Sequence, residues 1–262
     1  MNSRERLLAA IKGEEVDQLP WAPNLGYWWG QQDNKVINMG EIEFTESVGA
    51  DPLLRGHYNT YSTRKEQILF FFFKIKNTEI KNKRKGNKNC IYYKTPVGNL
   101  KFIKGYSANA DKWYLEEYGV KTREDFKILK YIKENTIVEP SQEKYKKFKK
   151  EQKKYEDRAL LLPLLNTEFK TDFQSLVEFW SGTQNLAYAV MDFPEVVEET
   201  LASMKRVSRK CVEFSAASGA EVFTTYEDTS TTNISPHYYE KYILPQINEW
   251  CDILHKNNKL YL

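Results

Sequence analysis

Two adjacent carboxylates, Glu227 and Asp228, are the side chains best placed to do chemistry, because they directly follow a predicted strand. Residues 221–226 are mostly β-branched and aromatic and come after the helix-ending sequence Ala-Ser-Gly-Ala, which predicts a buried strand. Carboxylates at such a strand end hydrogen-bond substrate or orient a metal ligand. We therefore predict Glu227 and Asp228 to be catalytic, with capping of the next turn as the alternative.

Arg55 and His57 end an earlier predicted strand, residues 51–57. Histidine changes charge near neutral pH and acts as an acid or base, and the arginine guanidinium binds anions through a fork of N–H donors. His57 is therefore a candidate catalytic residue and Arg55 a candidate substrate contact. A structural role for the lone histidine is the competing interpretation.

Asn24 and Tyr27 lie where another predicted strand, residues 20–24, ends. Both are candidate substrate-binding residues, since an amide and a phenol supply hydrogen bonds at a pocket mouth. Tyr27 begins the aromatic run Tyr-Trp-Trp, so simple packing is the alternative.

The remaining chemical patterns are weaker. Cys251 and His255 have i, i+4 spacing on a predicted helix, but no third ligand is near in sequence, so helix packing explains them better. The sequence contains no Gly-rich phosphate loop, Gly-x-Ser-x-Gly elbow or Cys-x-x-Cys pair, which disfavours dinucleotide, hydrolase and redox functions. The three cysteines are few and widely spaced, as is typical of reduced thiols.

Strands and helices alternate along most of the chain, which predicts an α/β fold with a parallel sheet wrapped by helices. Barrel-type strands are predicted at 20–24, 51–57, 158–164, 221–226 and 259–262. Helices are predicted at 3–12, 121–132, 142–155, 173–188, 194–218 and 235–255, with Ser3 marking the start of the first. Aromatic-rich runs within 68–106 predict inserted antiparallel hairpins. Because a TIM (β/α)8 barrel needs eight strands, we expect residues 1–262 to form one incomplete barrel domain.

Composition narrows the function classes. The 262 residues are 41% hydrophobic and 14% aromatic and carry a net charge of +3, so we expect a folded domain without nucleic acid or a membrane as partner. The apolar stretches are too short for a membrane span or a signal peptide, and we expect a cytoplasmic protein. Acidic residues interleave the lysine-rich helix 142–155, which indicates a solvated face.

Four phrases together resemble the uroporphyrinogen decarboxylase superfamily. They are SRERLLAAIKGEEVDQLP at 3–20, TPVGNL at 95–100, VKTREDF at 120–126 and ISPHYYEKYILP at 234–245. The resemblance spans nearly the whole chain and implies a TIM barrel. The superfamily also contains cobalamin-dependent methyltransferases that methylate coenzyme M.

The first predicted strand favours the methyltransferase branch. Decarboxylases of the family carry Arg-Gln-Ala-Gly-Arg there to hold the substrate's carboxylates, whereas this chain has no arginine between Arg6 and Arg55. The resemblance thus implies methyl transfer between a corrinoid and a thiol-type acceptor, with a small-molecule substrate and a corrinoid protein as partners. Decarboxylation of uroporphyrinogen is the alternative.

The methyltransferase branch uses zinc, held by a His-x-Cys after the fifth strand and by a later Cys, to activate the thiol. Residues 259–262 align with that strand, so the resemblance implies zinc in the full-length parent and no zinc ligand in this chain. A C-terminal truncation is therefore expected. Whether the chain alone is an enzyme stays open, with a non-catalytic fragment as a third possibility.

Overall fold

A computed structural model describes residues 1–29, 31–58, 67–108, 112–166 and 168–262, with the side chain of Tyr27 also outside the described part. The α-helices are α1 (Ser3–Lys12), α2 (Gly26–Trp29), α3 (Asn34–Met39), α4 (Glu41–Ser47), α5 (Arg123–Glu134), α6 (Gln142–Tyr155), α7 (Asp172–Ser175), α8 (Thr183–Asp192), α9 (Pro194–Ala216), α10 (Pro236–Tyr238) and α11 (Leu244–Lys256). Two π-helical segments, π1 (Leu176–Trp180) and π2 (Tyr239–Ile243), join α7 to its successor and α10 to α11. The strands are β1 (Leu53–Arg55), β2 (Phe71–Ile75), β3 (Glu79–Lys85), β4 (Lys88–Thr95), β5 (Gly98–Ser107), β6 (Lys112–Glu117), β7 (Thr136–Pro140), β8 (Leu160–Leu162), β9 (Val222–Phe223) and β10 (Leu260–Tyr261).

Four short strands run parallel. β1 pairs with β8 from Leu53↔Leu160, and β10 pairs with β9 from Leu260↔Val222. A parallel bridge between Leu164 and Thr224 links the two pairs, so the spatial order is β1, β8, β9, β10. Strands are thus confirmed at four of the five predicted barrel positions, although each is shorter than the sequence indicated. Their order follows chain order, as it does in repeated βα units.

The strand predicted at 20–24 is wrong. Residues 20–25 adopt no regular secondary structure, because Pro20 and Pro23 lack the N–H groups that a ladder needs. The segment is instead tied to Asp51. The Trp21 backbone N–H donates to Asp51 Oδ2 at 3.1 Å, and the Asp51 N–H donates to the Trp21 carbonyl at 2.6 Å.

The predicted hairpin insertion is confirmed. β3, β4, β5 and β6 form a four-stranded antiparallel sheet in that order, and β2 pairs antiparallel with β7. Leu100 and Phe102 on β5 are buried, whereas β3 is exposed along its length. The sheet therefore packs on the core at β5, whereas its edge strand β3 faces solvent.

The helix predictions need three corrections. Asn2, not Ser3, caps α1: its side chain accepts from the Glu5 N–H, and the Glu5 side chain accepts from the Asn2 N–H. The predicted helix 173–188 is divided by π1 and by Gly182, whose φ is 80°. The predicted helix 235–255 is divided by π2, because Pro245 has no N–H to continue an α-helical ladder.

The core consists of two main apolar clusters that share α9. One packs β5 against α5 and α9 through Phe102, Phe126 and Val197. The other surrounds the parallel strands through Leu161, Phe223 and Trp250. Within the described residues, we find no helix that combines the length and the apolarity required to span a bilayer.

Candidate functional site

Polar side chains collect at the carboxyl ends of the parallel strands. Because parallel neighbours end at the same sheet edge, Arg55 at the end of β1, Lys170 after β8 and Glu227 after β9 belong to one rim. Tyr261 on β10 lies at the same rim. This carboxyl edge is where α/β folds build active sites.

The carboxylate of Glu227 accepts three hydrogen bonds at this edge. Its Oε1 accepts from the Thr171 backbone N–H at 2.6 Å and from the Thr225 hydroxyl at 3.1 Å, and its Oε2 accepts from the Thr171 hydroxyl at 2.9 Å. Burial raises the pKa of Glu227 above its ordinary value, and the hydrogen bonds and Lys170 oppose that rise only in part. A fixed carboxylate with a raised pKa is a stronger base than an ordinary carboxylate and is suited to accept a proton from a substrate.

A chain of hydroxyl groups supports this carboxylate. Thr225 Oγ1 is hydrogen-bonded to the Tyr261 hydroxyl as well as to Glu227. Since Thr225 has a single hydroxyl proton and gives it to Glu227, the Tyr261 phenol is the donor to Thr225. Burial strongly raises the pKa of Tyr261, which keeps this phenol protonated and able to donate.

In the segment between β8 and α7, two hydrogen bonds link Asn166 to Lys170, and the next residue, Thr171, lies at the edge. Asn166 Nδ2 donates to the Lys170 carbonyl at 2.7 Å, and the Lys170 N–H donates to Asn166 Oδ1 at 3.3 Å. The buried Lys170 ammonium donates to the Tyr226 carbonyl and pairs with Glu178 at 2.7 Å. These contacts attach the segment to the end of β9 and fix the hydrogen-bond donors of Glu227.

Asp228 lies beside Glu227 in sequence but is bound to the following turn. Its carboxylate accepts from the Ser230 N–H at 3.0 Å and from Asn233 Nδ2 at 2.7 Å. These hydrogen bonds lower the pKa of Asp228. The geometry is that of the capping alternative, and its catalytic assignment stays a prediction.

Arg55 attaches the irregular segment 20–25 to the edge. Its guanidinium donates to the Ala22 carbonyl at 2.7 Å and to the Pro23 carbonyl at 3.2 Å. Arg55 also lies close enough to the Tyr226 phenol to lower its pKa, although burial raises that pKa more. Two N–H groups that would bind a substrate anion are thus directed to backbone carbonyls.

The other predicted site residues lie on the β1 side of the edge. His57 Nδ1 is 3.4 Å from the Arg55 carbonyl, and its backbone forms an antiparallel bridge with Gln67. β8 lies between β1 and β9, so His57 and Glu227 follow strands that are not neighbours in the sheet. Asn24 is exposed, and its Oδ1 accepts from the Gly26 N–H at 3.2 Å, a turn that leads into α2. The side chain of Tyr27 lies outside the described residues.

Thr171, Thr225 and Tyr261 were missed by sequence reasoning. Thr225 and Tyr261 lie just after β9 and in β10, which is the one signal that points to them, whereas Thr171 lies at the end of the segment between β8 and α7. The Thr171–Glu227 contact joins residues 56 positions apart and the Tyr261–Thr225 contact residues 36 positions apart, and no local pattern encodes such distances.

The resemblance implies zinc, which needs a cluster of His, Cys, Asp or Glu side chains as ligands. Across the described ranges, no group of three or more His, Cys, Asp or Glu side chains is arranged to hold a metal ion. The described side chains do not fit a zinc site by themselves.

No protein-family model matches the chain, and no curated protein matches it. A solved structure of a methyltransferase from Methanosarcina mazei superposes with a TM-score of 0.47 at 10% identity, covering 100% of this chain and 68% of that chain. A likeness this weak assigns neither fold nor function.

Proposed function

We propose that the chain is part of a (β/α)8-barrel enzyme of the uroporphyrinogen decarboxylase superfamily, in its methyltransferase-like branch. The parallel order β1, β8, β9, β10 supports the barrel, because consecutive βα units place their strands side by side in this way. The four family-like phrases of the sequence support the superfamily.

The observation that carries the function is the fixed Glu227 at the carboxyl edge. In the proposed reaction a thiol-type acceptor binds at this edge, and Glu227 accepts the thiol proton. The thiolate then attacks the methyl group of the donor, a corrinoid, and the donor keeps the electron pair of the broken bond. A carboxylate of raised pKa is better matched to a thiol than an ordinary one, because proton transfer is most efficient between groups of similar pKa.

Porphyrinogen decarboxylation is less well supported. Its substrate carries many carboxylates, and guanidinium groups are the natural anchors for them. Among the described residues at the carboxyl ends of β1, β8, β9 and β10, Arg55 is the only arginine. Its guanidinium donates to two backbone carbonyls.

The test uses the complete product of the gene, supplied with zinc, methylcobalamin and a panel of small thiols. We expect the absorption spectrum of methylcobalamin to change only when a thiol and the protein are both present, with the methylated thiol recovered in equal amount. No change with any thiol refutes the methyltransferase proposal. Conversion of uroporphyrinogen to coproporphyrinogen by the same preparation establishes the decarboxylase alternative.

A further inference from the structure

A large cleft lies on the antiparallel insertion, and Glu227 is not among the residues that line it. It opens between the sheet β3–β6 and the segment 168–180 and has a volume of about 670 Å³. Its walls are largely aromatic and apolar: Tyr93, Phe102, Trp113, Phe169, Phe179 and Trp180. We call it the sheet cleft. Tyr93, Phe102 and Trp180 form its floor, with ring centroids 5.7 to 5.8 Å apart.

A second cavity of about 460 Å³, with Asn82, Arg84, Asn89 and Lys104 among its lining residues, continues the sheet cleft along the same sheet face. The two share Ile91, Lys104 and Trp113 as lining residues. Strand register explains the continuity, because Arg84 pairs with Asn89 and Asn89 pairs with Lys104, so the three side chains lie on one face. An aromatic compartment therefore borders a compartment of cationic and amide groups.

The polar compartment has unused hydrogen-bonding and charge capacity. In the parts of the chain that the structure describes, neither Arg84 nor Lys104 forms an ion pair with a carboxylate, and Asn89 Oδ1 is buried without a hydrogen-bond partner. The Arg84 guanidinium carbon lies 4.9 Å from the centroid of the Trp113 ring.

The two carboxylates of the sheet cleft are neutralised within the protein. Glu168 pairs with Lys133 at 2.6 Å and accepts from the Trp180 indole N–H at 3.0 Å. Glu178 pairs with Lys170 at 2.7 Å. Neither carboxylate pairs with Arg84 or Lys104.

We propose that the sheet cleft and its polar extension bind a planar heteroaromatic ring that carries a phosphate group. The ring stacks among Trp113, Phe169 and Phe179, and the phosphate is held by Arg84 and Lys104. Two cations on one face of the sheet, Arg84 and Lys104, match a phosphate dianion better than a carboxylate monoanion.

The experiment measures binding of flavin mononucleotide to the whole chain by quenching of flavin fluorescence. Riboflavin supplies the ring without phosphate, inorganic phosphate supplies the anion without the ring, and 1-naphthoate supplies a ring with a carboxylate. Lys104→Ala is compared with Lys101→Ala, which lies on the same strand but on the opposite face. Trp113→Phe keeps a ring and tests stacking, and thermal melts of each variant verify folding.

We expect flavin mononucleotide to bind about tenfold or more tightly than riboflavin and 1-naphthoate, because the phosphate adds charge-assisted hydrogen bonds. Lys104→Ala should remove that advantage, Lys101→Ala should leave it unchanged, and raising the salt concentration should reduce it. Equal binding of flavin mononucleotide and riboflavin, or equal effects of the two lysine variants, overturns the phosphate assignment. Absence of binding by both flavins to a folded chain overturns the proposal as a whole.

Discussion

The buried carboxyl of Asp172 makes a prediction about stability and pH. Asp172 begins α7 and lies against α9 and α11, where its Oδ2 accepts from the Ser208 hydroxyl at 2.9 Å and from the Gln246 amide. The Asp172 backbone N–H donates to Gln246 Oε1 at 2.9 Å. Burial raises the pKa of this carboxyl to about 7, and the hydrogen bonds offset only part of the rise.

The folded chain therefore binds the Asp172 proton more tightly than the unfolded chain does. Its contribution to stability is complete below the unfolded pKa of 3.8 and is lost as the pH rises towards about 7. A shift from 3.8 to about 7 corresponds to about 4 kcal/mol at 1.36 kcal/mol per pKa unit. Asp172→Asn keeps the shape and the acceptor oxygen but cannot ionise, so this pH-dependent loss should disappear.

The assay is urea denaturation of the wild type and Asp172→Asn between pH 5 and pH 8. We expect the wild type to lose free energy of unfolding over this range relative to the variant, by a few kcal/mol. Asp252→Asn, an exposed carboxylate on α11, is the matched control and should follow the wild type. Parallel curves for the wild type and Asp172→Asn would refute the argument, because they would mean that Asp172 is ionised in the folded chain at little cost.

Two other predictions concern packing and thiols. Gly56→Ala should lower the free energy of unfolding by roughly 1 to 3 kcal/mol in denaturant melts, because Gly56 has a φ of 73° and its new Cβ would lie 2.9 Å from Leu164. Gly86→Ala is the control and should cost less, because Gly86 has a φ of 58° and a new Cβ there has nothing within 4 Å. Equal losses of stability in the two variants would contradict the steric argument. Cys211 should resist a thiol-titrating reagent in the native chain, because it is buried and burial raises its pKa, whereas Cys90 should react readily; rapid reaction of all thiols without denaturant would count against this packing.

Much of the fold was predictable from local sequence. α1, α5, α6 and α9 have apolar spacing and terminal residues that specify helices independently of the rest of the chain, and they lie close to their predicted bounds. The π-helical segments and the irregular segment 20–25 were not predictable in this way. Pro245 and Pro23 are visible in the sequence, but what replaces the lost backbone hydrogen bonds depends on contacts such as those with Asp51 and Arg55.

The candidate site was predictable only in part. Glu227 was found because it follows a strand, and the same rule selected Asp228, whose carboxylate is bound to Ser230 and Asn233. Strand position places a residue at the edge, whereas the partners of its side chain depend on pairings between distant segments. Thr171 and Tyr261 contact this cluster only because β8, β9 and β10 lie side by side.

The rate of methyl transfer in Glu227→Gln and Asp228→Asn tests the central claim most directly, with the complete gene product, methylcobalamin and a thiol. We expect Glu227→Gln to lower the rate about 100-fold or more, because general-base catalysis typically contributes that much, while thermal melts show both variants folded. Asp228→Asn should stay within a few-fold of the wild type, since its carboxylate is bound to the turn. A Glu227→Gln variant that transfers methyl groups at the wild-type rate would contradict the account.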